Sequence, residues 1–123
     1  NPFMTIAERA AAPLLPNLPA RRPGARGQFG FGDRQRIASV LADSGWADVA
    51  IEPVELACAL PASALDDYIT RLGPVGLALL EVDDATQRRV VDTMRAAFEP
   101  YVDGADVRFD AACWLVTARA PSV

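Results

Sequence analysis

Asp33-Arg-Gln-Arg-Ile-Ala-Ser-Val-Leu-Ala-Asp-Ser-Gly45-Trp46-Ala-Asp-Val-Ala-Ile-Glu-Pro53-Val-Glu-Leu56 decides how this chain is read. Asp33 is a good N-cap, because its carboxylate can accept from the exposed amides of a first helical turn. Ile37, Val40 and Leu41 then recur at i, i+3 and i+4 and give the helix one apolar stripe. Gly45 supplies the left-handed residue that stops it. Trp46 follows as a packing residue where the chain turns back. Residues 49–60 read as a strand, and Pro53 inside it cannot donate to a ladder. That strand is therefore expected at a sheet edge, or bulged. A helix that feeds a strand in this way is the closing half of a βαβ unit and normally packs on a larger sheet. The strands that should precede it are not in the sequence. The chain starts at Asn1-Pro2 without an initiator Met or a cofactor loop, so the expectation is the C-terminal part of a larger α/β protein.

Working outward, residues 1–15 read as a short helix, with Pro2 suited to its first turn and Pro13 and Pro16 ending it. Residues 16–32 are rich in Pro and Gly and carry Arg21, Arg22 and Arg26, which reads as a solvated loop. Ser63 is expected to cap the next helix. Leu65, Tyr68, Ile69 and Leu72 fall at i, i+3, i+4 and i+7, the strongest helical period in the chain. Gly73-Pro74 breaks it, and residues 75–82 suggest another short helical turn. Asp84 with Gln87 has the capping-box spacing. The helix after it carries Val90, Val91, Met94, Phe98 and Tyr101 on one side, and Pro100 and Gly104 mark its end. Residues 107–119 are the last strand. From Ala111 to Val116 both of its faces are apolar, which predicts cover on both sides, as for an interior strand.

The chain has 123 residues, enough for one domain, and its 51% hydrophobic content suits a packed core. All 12 basic residues are Arg, and Lys and His are both absent. Without an imidazole the chain has no general base tuned to neutral pH, and a Ser-His-Asp triad cannot be built from it. A net charge of -4 argues against a nucleic-acid partner, since phosphate binding needs a basic face. Cys58 and Cys113 lie in apolar runs and read as two buried reduced thiols of a cytoplasmic protein; a cross-strand disulfide is the weaker reading. Two cysteines do not make the usual four-ligand zinc site. The chain contains no apolar run long enough to span a bilayer, so no membrane partner is expected.

Gly27-Gln-Phe-Gly-Phe-Gly-Asp33 has glycines, but their spacing is wrong for a dinucleotide loop and no apolar strand leads into them. It reads as loop plus N-cap. Asp66-Asp67 and Asp83-Asp84 stand at helix starts, where they complement the helix dipole. No residue has a context that marks it as a nucleophile.

Four pieces together carry a resemblance. They are Asn1-Pro-Phe-Met-Thr5 opening a helix, the Pro-rich loop ending Phe29-Gly-Phe-Gly-Asp33, the run from Leu41 through Ser44-Gly-Trp46 to Val54, and the closing Ala112-Cys-Trp-Leu-Val-Thr-Ala-Arg119. In order and spacing they resemble the C-terminal half of class I S-adenosylmethionine-dependent methyltransferases of the bacterial small-molecule type. The likeness spans nearly all of the chain. It implies a Rossmann-like fold, with residues 49–60 as the sixth strand and residues 107–119 as the seventh, paired antiparallel. Residues 61–105 would be a helical insertion between them. In that family S-adenosylmethionine is held by a glycine-rich loop after the first strand and an acidic residue ending the second. Neither element is in this sequence, so the resemblance implies the cofactor for a parent protein and none for this chain alone. It also implies a substrate-side role for the first helix, with Phe3, Met4 and Tyr68 as weak pocket candidates beside an ordinary packing role. The alternative from a different class is a stand-alone α+β binding or dimerisation module, a homodimer joined through exposed strand edges.

Overall fold

A computed structural model describes residues 1–22 and 24–121. Pro23 of the loop and the last two residues of the tail lie outside the described residues. The chain mixes helix and strand around a three-stranded antiparallel sheet. In order it forms a 3-10 turn Pro2–Met4, α1 (Ile6–Ala11), α2 (Arg34–Asp43), β1 (Ala47–Pro61), α3 (Leu65–Arg71), α4 (Gly73–Leu79), α5 (Asp84–Phe98), β2 (Val102–Asp103) and β3 (Asp106–Arg119). Strand order is β1-β3-β2. The expectation of two strands is thus corrected to three. The missed strand is half of a tight hairpin in which Val102 pairs with Val107 and Asp103 with Asp106. Gly104 turns it with a φ of +61°, a left-handed backbone that glycine adopts without a Cβ penalty.

The chain divides into two compact units. The first joins Asn1–Pro19 to Ala57–Ala111 and holds the main hydrophobic core. α1, α3, α4 and α5 pack there on one another. Val90, Met94 and Phe98 recur at i, i+4 and i+8 along α5 and are all fully buried. The sheet adds Val107 and Ala111 from alternate positions of β3, with Phe109 half-buried between them. This period-2 pattern, with Arg108 and Asp110 pointing out, is that of a strand with one buried face.

Two caps differ from expectation. Ser63 does not cap a helix; residues 62–64 form a 3-10 turn, and α3 starts behind Ala64 with no side-chain cap. Asp83, not Asp84, caps α5, its Oδ1 accepting from the Thr86 amide at 2.7 Å. That bond holds the Asp83 carboxyl below the usual carboxylate range. Gln87 instead donates through Nε2 to the Leu79 carbonyl at 2.8 Å and the Val82 carbonyl at 3.2 Å, tying the end of α4 to α5.

The second unit joins Ala20–Leu56 to Ala112–Val123. Asp33 caps α2 as expected, its Oδ1 accepting from the Gln35 amide at 2.8 Å. The helix stops as its glycine requires. Gly45 adopts φ +83°, its amide donates to Ala42 at 3.0 Å, and the Trp46 amide reaches back to Leu41 at 3.0 Å. Pro53 lies in β1, which is an edge strand. Inward-facing residues are Ala47, Val49 and Ile51 before it and Val54 after it, so the alternation slips by one residue at the proline.

Little in this unit is covered. Ile37 and Ile51, at 4% and 5% exposure, are its buried hydrophobics among the described residues. Val40 and Trp46 are exposed, so the stripe of α2 buries only Ile37 fully, and Trp46 is not the packing residue expected. β3 was expected to be covered on both faces from residue 111 on. Instead Leu115 is 53% and Val116 38% exposed. From Arg108 onward β2 no longer flanks β3, so β1 is its only strand neighbour among the described residues.

Candidate functional site

The three residues singled out from the sequence all fall in the first unit, and the structure brings two of them together. Phe3 lies in the 3-10 turn Pro2–Met4 and Tyr68 in α3. The Tyr68 hydroxyl donates to the Phe3 carbonyl at 2.9 Å. Burial raises the Tyr68 pKa above that of an ordinary phenol, because the phenolate would lose its hydration there. Met4 is half-buried in the same turn.

These side chains belong to a larger aromatic group. Phe98 meets Tyr68 edge-on at a centroid distance of 6.2 Å and Phe109 edge-on at 5.8 Å. Phe3 and Tyr101 also stack against Phe109, at 5.6 Å and 4.7 Å. Offset and edge-on contacts of this kind add to the energy of plain burial. Sequence reasoning placed Phe98 and Tyr101 on one helical stripe but passed over Phe109. Its signal was the alternation Val107, Phe109, Ala111 beside two charged residues. Chemically the group is apolar, with the Tyr68 hydroxyl spent on a carbonyl. It packs the first turn of the chain onto α3 and α5, and it offers no acid, base or nucleophile working near neutral pH.

The charged side chains pair on the surface. Asp66 accepts from Arg95 at 2.6 Å and holds its guanidinium protonated. Asp67 pairs with Arg71 at 3.0 Å one turn along α3. In the second unit Arg119 donates to Asp48 at 2.6 Å. Asp48 has φ +52°, a backbone that Asp tolerates better than most residues. No disulfide joins the cysteines; Cys58 is half-buried and Cys113 exposed, so neither is the buried thiol expected. Among the described residues no three His, Cys, Asp or Glu side chains gather so that they could hold a metal ion.

The second unit has an open apolar groove of about 350 Å³ between α2 and β3. Ile37 and Leu41 of α2, Trp114 and Val116 of β3 and Phe31 of the preceding loop line it. The Trp114 indole donates to the Gly32 carbonyl at 3.3 Å, which fixes its ring beside the loop. The groove has no charged lining and presents surface to be covered rather than chemistry.

None of the described strands leads into a glycine-rich loop and helix. β1 is followed by Ala62-Ser-Ala, and the Gly104 turn joins β2 directly to β3. No helix among the described residues is long and apolar enough to cross a membrane. Comparison with family models, with curated proteins and with solved structures returned no match.

Proposed function

We propose that this chain is the C-terminal part of a class I S-adenosylmethionine-dependent methyltransferase that acts on a small molecule in the cytoplasm. In this reading β1 and β3 are the last two strands of a Rossmann-like sheet, and the helices between them are an insertion. The observation that carries the proposal is the state of β3. Its second half is apolar on both faces, Leu115 and Val116 are exposed, and β2 flanks only its first two residues. A strand of that composition asks for a neighbour and for cover. A preceding strand of the parent sheet would supply the first and its helices the second. Pro53 on the opposite edge strand fits the same arrangement, since a sheet ends where a donor is missing.

The cofactor would be held by the parent's earlier strands. The residues of this chain do not form its cradle, and no step of methyl transfer is assigned to them. Their contribution would be to close the sheet and to brace Pro2–Met4 through the Tyr68–Phe3 bond. Phe3 and Met4 of that turn and Tyr68 of α3 are half-buried and would touch substrate only through their exposed parts.

Calorimetry tests the proposal. The full product of the gene is expected to bind S-adenosylmethionine at micromolar concentration, and the 123-residue chain is not. Micromolar binding by the chain alone, or a start codon directly before Asn1, overturns the reading. A second reading draws on the same open edge: a stand-alone α+β module whose β3 pairs with that of a second copy. It requires a discrete dimer in solution and no upstream coding sequence for a glycine-rich strand-loop-helix.

A further inference from the structure

We draw no further inference here: the strongest candidate, the open apolar groove between α2 and β3 lined by Phe31, Ile37, Leu41, Trp114 and Val116, is an unpartnered face, and nothing in the structure shows what covers it.

Discussion

Tyr68 shows how one hydroxyl ties distant parts of the sequence together. Its bond to the Phe3 carbonyl spans 65 positions and fixes the start of the chain on α3. Replacing it with Phe keeps the edge-on contact with Phe98 and leaves one half-buried carbonyl without its partner. Tyr68→Phe is expected to cost about 0.5–1.5 kcal/mol in urea unfolding, the net worth of a typical hydrogen bond. The same substitution reports on pH. A phenol whose folded pKa is raised stabilises fully below the unfolded pKa of about 10, and that stability is lost as pH rises through the folded value. Wild type should therefore lose stability above about pH 10 more steeply than Tyr68→Phe. Parallel alkaline limbs for the two proteins would show that the hydroxyl is not desolvated as described.

At the scale of elements, the helices of the first unit depend on one close approach and one cap. A Cβ at Gly76 would lie 2.6 Å from the carbonyl oxygen of Thr70. That neighbour is backbone, so α4 must move away from the end of α3 to make room. Gly76→Ala should destabilise by about 1–3 kcal/mol despite the better helix propensity of Ala. A neutral or stabilising result in thermal unfolding would mean that the two helices can part without loss. Asp83 gives the second case. Its carboxyl pKa is depressed by the Thr86 amide, so its stabilisation is present above about pH 4 and is lost as pH falls through the folded value. Asp83→Asn keeps a capping oxygen that does not titrate, and its acid unfolding should lack that component. What was legible here followed physical strength. The Asp33 cap and the Gly45 stop were readable because each residue type has few competing uses in that context. Asp83 and Asp84 are equivalent as letters; in the structure Asp83 accepts from the Thr86 amide, while the Gln87 side chain bonds the end of α4. The β2–β3 hairpin is hard to read from the sequence because a two-residue strand leaves almost no period, although Asp103-Gly104 is itself a hairpin-turn signal. The cover predicted for β3 came from its composition, which records a demand for neighbours and not their presence.

For the molecule as a whole, the two units differ in how much they bury. The first has a continuous core drawn from α1, α3, α4, α5 and β3, whereas the second has only Ile37 and Ile51 below the surface among the described residues. Local opening free energy follows buried apolar contact, so the units should not share one stability. Backbone amides at residues 90–98 of α5 are expected to exchange with deuterium at least about tenfold more slowly than those of α2, a difference of about 1.4 kcal/mol or more. Equal protection at low concentration would mean that α2 is as well supported as α5, and the account of the second unit would fail. Dependence on concentration then separates the two occupants considered for the open edge of β3. If a second copy pairs with it, protection at residues 113–119 rises as the chain is concentrated, while α5 stays unchanged. If the edge belongs to an upstream strand of the same protein, concentrating the chain adds no ordered protection there. In that case the full gene product should protect both residues 113–119 and α2, because neighbouring strand and covering helices arrive together. Unchanged exchange at the edge in both experiments would contradict both readings, since an apolar strand would then remain open in the complete protein.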